Sequence, residues 1–222
     1  MNNLIRTFNR KWVPDKRDHN YLMKNLPKMK TEPVLKRRFW NAEGWWGDQG
    51  NTPHCVGYAW AHWIEDGPVE HAGKAPIVAP LKIYENAQRL DEWEGEQYEG
   101  TSVRGGVKYL NGDKKISSYY WAFDIQTLVN AVLTLGPVVV GTNWYRGMLS
   151  PNKLGYVFPT GRIVGGHAYV LNGVDVTHGY FRLKNSWGRR WGIKGHAYIS
   201  ISNMNRLLNQ QGEACIALEN SF

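Results

Sequence analysis

Four groups that would have to meet in space come from distant stretches of this 222-residue chain: Gln49 and, six residues on, Cys55, then far downstream His167 within Gly166-His167-Ala168 and Asn185 within Lys184-Asn185-Ser186-Trp187-Gly188. A thiol that attacks a carbonyl needs a base for its proton, a group to orient that base, and a donor for the developing oxyanion. In this order the four residues offer one candidate for each part. Nucleophile and base come from different halves of the chain, which implies a cleft between two lobes.

The local pattern supports that division. From Cys55 the residues Val56, Ala59, Trp60 and Trp63 recur at helical spacing until Asp66-Gly67-Pro68, which places Cys55 in the first turn of a helix. A second helix is predicted from about 81 to 93. A third follows a possible cap in Gly100-Thr101-Ser102 and runs through Val103, Val107 and Leu110. Asp124 is a plausible cap for a helix with an apolar stripe at 125, 128, 129, 132 and 133. Gly136-Pro137 stops it, and Val138-Val139-Val140 opens a strand. Strand-like alternation returns around 168–174, 180–184 and 195–201. We therefore expect an α+β fold in three parts: a basic extension and lead-in over 1–40, a mainly helical lobe over 41–123, and a mainly β lobe over 124–222.

Each candidate also has a plainer reading. Free cysteine is commonly a small buried hydrophobe, Gln49 is a loop glutamine, and His167 opens an apolar strand where a satisfied structural histidine is the usual occupant. Asn185 beside Ser186-Trp187-Gly188 also suits a turn. His54 rivals His167 by adjacency to Cys55, but neighbouring side chains at a helix start point apart, so it reads as lining the cleft. No set of the seven histidines has metal-ligand spacing with a third ligand, and no metal or cofactor is expected.

Taken together, Gln49-Gly50-Asn51-Thr52-Pro53-His54-Cys55-Val56, Gly166-His167-Ala168 and Lys184-Asn185-Ser186-Trp187-Gly188 resemble the papain-like cysteine peptidases. Thr in place of a cysteine before the nucleophile, and Val56-Gly57 after it, are similar to the bacterial and phage branch. The resemblance implies a two-lobed fold with a β-barrel-like C-terminal lobe. It also implies Cys55 as nucleophile, His167 as base, Asn185 as orienting group under Trp187, and Gln49 as oxyanion donor. Gly100, Thr101, Ser102, Gly166, Trp187 and His54 are expected around the substrate. Thr52 removes a disulfide usual in the family, and Pro53 replaces a glycine beside the cleft. The implied activity is peptide-bond hydrolysis on a peptide or protein substrate. Acyl transfer to an amine, or an inactive binding module on the same fold, are the alternatives.

The rest of the sequence bounds the setting. Two cysteines, Cys55 and Cys215, give no disulfide framework, and neither a signal peptide nor a membrane-spanning run is evident, so a cytoplasmic protein is expected. Residues 1–40 hold eleven Lys/Arg against three Asp/Glu, while 41–222 hold sixteen of each. The net charge of +8 thus belongs to the N-terminal arm. Nucleic-acid binding is the weaker reading of that charge; we expect the arm to lie near the acidic stretch 91–99 of its own body or on a partner, without forming a removable prodomain. Cys215 reads as core.

Overall fold

The computed structural model describes residues 6–29, 35–40, 44–69, 71 and 73–220. Among the described residues, α-helices begin at a side-chain cap in three cases, Ser102, Asp124 and Ser200. Helix α1 spans Cys55–Asp66 and ends at Gly67, whose φ of 109° is open to glycine and costly for other residues. Helix α2, Pro80–Gln88, starts with proline in its first turn. Helix α3, Val103–Gly112, is capped by Ser102, which accepts from the Gly105 N–H. Helix α4, Ile125–Thr134, is capped by Asp124, which accepts from Thr127, as the sequence suggests. Helix α5, Ile201–Leu208, was not anticipated. Helix α2 stops short of the predicted 93 because Asp91 gathers the following loop: its carboxylate accepts from Trp93 N–H, Tyr98 O–H and Thr101 O–H.

Seven strands form one antiparallel sheet: β1 Arg37–Phe39, β2 Ile116–Trp121, β3 Val138–Tyr145, β4 Ile163–Asp175, β5 Tyr180–Lys184, β6 His196–Ser200 and β7 Glu213–Glu219. The order is β2-β7-β3-β4-β5-β6, with β1 on the far end of β4. The expected barrel-like closure is not found, because no pairing among the described residues joins the outer strands β2 and β6. Strand β2 also falls in the stretch expected to be helical, yet its partner is β7.

Side chains on a strand alternate between faces, and here the alternation divides the core. Val139, Ala168, Val170, Cys215 and Ala217 pack with α1 and α3 on one face. Val138, Val140, Tyr169, Leu171, Ala214 and Ile216 pack with α4 and α5 on the other. Cys215 is buried among the first group, in keeping with a core role. The helix that begins at Cys55 is thus fixed against one face of β3 and β4, beside the strand that carries His167.

The N-terminal lead-in is anchored by its own acids as well as its bases. Arg104 of α3 pairs with Asp15 and Asp18 of the lead-in and with Glu92 of the body. Met23 is fully buried, and the Trp121 N–H donates to Tyr21 O. The expected approach to the acidic stretch occurs, but not chiefly through ion pairs. Asn9 donates to Glu99 at 2.8 Å, and the Lys11 ammonium sits over the Tyr98 and Trp93 rings at 3.6 and 4.3 Å.

Candidate active site

Cys55 is the first residue of α1 and is fully buried. The backbone N–H groups of Ala168, Asn9 and Val56 act on its sulfur, each favouring the thiolate. Two of these come from the body, and Ala168 immediately follows His167 on β4. The third belongs to the N-terminal segment.

The His167 ring is held in one tautomer by a short chain of deductions. Asn185 Oδ1 accepts from the Ser186 backbone N–H at 2.8 Å, which fixes that atom as the oxygen. His167 Nε2 lies 2.8 Å from the same oxygen and must therefore donate. Nδ1 is left without a hydrogen-bond partner among the described residues, a buried basic nitrogen with its lone pair free. Trp187 tilts over the ring at 5.1 Å between centroids and Trp144 meets it edge-on at 4.8 Å, so water has little access to the His167–Asn185 bond.

Gln49 is fixed just as closely. Its Oε1 accepts from Ser186 Oγ at 2.6 Å, and its Nε2 donates to Thr52 O at 2.9 Å. The second N–H of that amide points to Thr7 O at 3.4 Å. Ser186 therefore ties the Asn185 turn to the Gln49 side chain, a link the sequence reading passed over although Ser186 lies inside the quoted motif.

The cleft is occupied by the chain's own residues 6–11. The Arg10 N–H donates to Gly166 O at 2.8 Å on one wall, and the Lys11 N–H donates to Thr101 O at 3.0 Å on the other. They belong to two parallel bridges, Asn9 with Gly166 and Arg10 with Thr101. A side chain at Gly100, where φ is 93°, would collide with Asn9 O, and one at Gly166 with Arg10 O. Phe8 meets His167 and Trp187 edge-on at 5.8 and 5.7 Å. Of the residues expected around substrate, Gly100, Thr101, Gly166 and Trp187 thus touch this segment. Two do not behave that way: the Ser102 hydroxyl is committed to capping α3, and the His54 ring packs on Tyr84 at 4.4 Å.

Under this cover the electrostatics differ from an activated thiolate pair. Burial pushes the Cys55 thiol up, against the opposing pull of nearby N–H groups and Arg10. Burial also pushes the His167 imidazole down to about 4, with Asn185 opposing and the positive charges of Arg6 and Arg10 adding to the shift. Near neutral pH the pair rests as thiol and neutral imidazole. Among the described residues no group of three or more His, Cys, Asp or Glu could hold a metal, and no helix is long and apolar enough to cross a membrane.

An α+β fold with a buried thiol at a helix start, packed beside the strand whose His167 is bonded to Asn185, has the architecture of the papain-like enzymes. Residues 46–217 match the family model described as papain family cysteine protease, and the chain belongs to that family. A cathepsin B-like cysteine proteinase of Schistosoma japonicum is 27% identical over 67% of this chain and 47% of its own length. An uncharacterized peptidase C1-like protein of Acanthamoeba polyphaga mimivirus is 23% identical over 71% of this chain and 66% of its own. The chain therefore spans only about half to two-thirds of these curated relatives. Among solved structures, xylellain, a cysteine protease from Xylella fastidiosa, superposes with a TM-score of 0.72 at 20% identity, covering 97% of this chain and 98% of that one. At that identity the likeness establishes the fold.

Proposed function

We propose that this chain hydrolyses peptide bonds through Cys55, with His167 as base, Asn185 as the group that orients it, and Gln49 as oxyanion donor. The observation that carries this reading is the His167 ring: Asn185 holds Nε2–H and Nδ1 has no partner among the described residues, on the strand whose Ala168 and Val170 pack in one core cluster with Cys55. In the proposed reaction His167 takes the thiol proton as sulfur attacks the carbonyl carbon. The oxyanion is held by Gln49 Nε2–H and the Cys55 N–H, His167 returns the proton to the leaving amine, and water releases the acyl group. The same reading makes residues 6–11 a competitor in cis, because their backbone lies along both walls and Thr7 O already meets the Gln49 donor.

Substitutions rank the supports. Loss of an oxyanion donor costs on the order of a hundred- to a thousandfold in rate, so Gln49→Ala should leave weak but measurable peptide hydrolysis. His167→Ala should be worse and Asn185→Ala milder. Ser186→Ala removes one hydrogen bond that aims Gln49, worth about five- to tenfold. Steady-state kinetics on a fluorogenic peptide checks the order; equal damage from His54→Ala and His167→Ala would show that the base has been misassigned.

A further inference from the structure

The Gly/Trp-rich stretch ahead of Cys55 is pressed backbone-first onto α1. A Cβ at Gly47 would sit 2.5 Å from the Tyr58 ring and 2.7 Å from that of Trp45, so the main chain comes this close only because no side chain intervenes. The Gly47 N–H donates to His62 Nε2 at 3.0 Å. His62 lies seven residues after Cys55 on α1, and a step of seven returns to the same face of a helix. The face of α1 that begins with Cys55 therefore presents, about 10 Å further along the axis, an acceptor to the loop that leads into Gln49.

Gly47 uses both of its backbone groups. Its carbonyl accepts from the Gly188 N–H at 3.3 Å, Asp48 pairs with Trp187 in an antiparallel bridge, and the Gln49 N–H donates to Ser186 O at 2.8 Å. Residues 47–49 thus run as a short ladder along the turn that carries Asn185. That ladder ties Gln49 to the His–Asn side of the site. The His62 bond ties the same stretch to the helix of Cys55.

The ring is set up to accept. Because Nε2 takes the Gly47 hydrogen bond it carries no proton of its own, and the imidazole is neutral with its proton on Nδ1. His62 is buried, with the rings of Trp45 and Trp46 at 5.1 and 5.9 Å between centroids. Burial, with Lys184 and His196 adding, pushes the imidazole well below its usual range and keeps it neutral. A buried N–H that loses its acceptor bears its full desolvation cost, so without His62 the loop must shift to satisfy Gly47.

Resting on the reading of Gln49 as oxyanion donor, we propose that His62 is a positioning residue for hydrolysis: by accepting the Gly47 N–H it sets the place of the Gln49 amide relative to the Cys55 N–H, the second donor to the oxyanion. A displacement of about 1 Å in such a group can cost about a hundredfold in rate, and the Ser186 hydroxyl that still aims Gln49 holds the expected loss nearer to about tenfold. The oxyanion forms only on attack, so the loss belongs in kcat rather than in KM.

The test is a double-mutant cycle in the full chain, His62→Leu with Gln49→Ala, read by steady-state kinetics on a fluorogenic peptide and by NMR hydrogen exchange at the Gly47 amide. His62→Leu should lower kcat about tenfold with KM within about twofold, and should cost less than about threefold once Gln49 is already alanine. His62→Gln, whose side-chain oxygen can stand in for Nε2, should bring kcat back to within about threefold of the unaltered chain. The Gly47 amide should exchange about tenfold faster or more in His62→Leu and at the original rate in His62→Gln. Circular dichroism monitors folding, and His62→Phe, which keeps a ring without the acceptor, replaces His62→Leu if that chain does not fold. An unchanged kcat in His62→Leu, an equal loss in both backgrounds, or a Gly47 amide that exchanges no faster overturns the positioning role alone. A Gln49→Ala chain as active as the unaltered one overturns the oxyanion reading instead, and the role of His62 falls with it.

Discussion

Cys55→Ala should abolish peptide hydrolysis to the uncatalysed background, while Cys215→Ala leaves turnover close to that of the unaltered chain. Both thiols are fully buried, so burial does not distinguish them. What distinguishes them is their neighbours. Cys55 lies at a helix start, where the N–H groups of Ala168, Asn9 and Val56 favour its thiolate, whereas Cys215 lies mid-strand among Val139, Ala168, Val170 and Ala217 with its thiol pushed well up by burial. Without the sulfur there is no acyl intermediate, and His167 alone offers no comparable route. The comparison should be made in the unaltered chain and in a Phe8→Ala/Arg10→Ala background. Retained hydrolysis by Cys55→Ala protein free of contaminating protease would refute the mechanism.

Phe8→Ala/Arg10→Ala should raise activity at low substrate concentration by tenfold or more, and the gain should appear in KM rather than kcat. A tethered segment competes at an effective concentration near the millimolar range. A substrate then sees only the fraction of molecules with an open cleft, which lowers its apparent affinity by that fraction. Arg10→Ala leaves Glu213, whose Oε1 lies 3.7 Å from Arg10 Nη1, buried without its cation in the covered form. Truncating one partner of a buried charge pair costs about 2–5 kcal/mol where the pair is hydrogen-bonded; here it is not, so the lower end applies. Removing Phe8 also takes away the ring that seals His167. The imidazole should then titrate well above its covered value of about 4, since both its burial and the Arg10 charge are relieved. Kinetics and NMR titration of His167 test this together. An unchanged KM with an unchanged His167 titration would mean that residues 6–11 do not compete for the cleft.

The sequence was informative where local physics decides the outcome. The span of α1 was readable because an apolar period of helical spacing ends at Gly67-Pro68, and α3 and α4 because Ser102 and Asp124 cap them as their positions suggest. Strand β5 lies at the predicted residues. Strand β7 was not foreseen: Ala214-Cys215-Ile216-Ala217 is a short apolar run with no period of its own, and its strand character comes from pairing with β2 and β3. The far end of α2 was overestimated because Asp91 satisfies the loop that follows it.

At the site, the motifs announced Gln49, Cys55, His167 and Asn185 as candidates, and the fold brings their surroundings together. The covering segment was hidden for a different reason. Arg10 is one of eleven basic residues before position 41, and nothing local marks it as the one that reaches Glu213 across the fold. Gly141 looked like an ordinary glycine in a strand; only the register shows that its missing side chain makes room for a guanidinium. Trp144 likewise joins the His167 cover solely through β3–β4 pairing.

The most direct test of the central claim is labelling with a thiol-directed epoxide, followed by peptide mass mapping, in the Phe8→Ala/Arg10→Ala chain. The account predicts modification of Cys55 to one equivalent, slower labelling in the unaltered chain, none at Cys215, and loss of labelling when His167→Ala is added. Equal modification of Cys55 and Cys215, or labelling of Cys55 that is indifferent to His167, would contradict it.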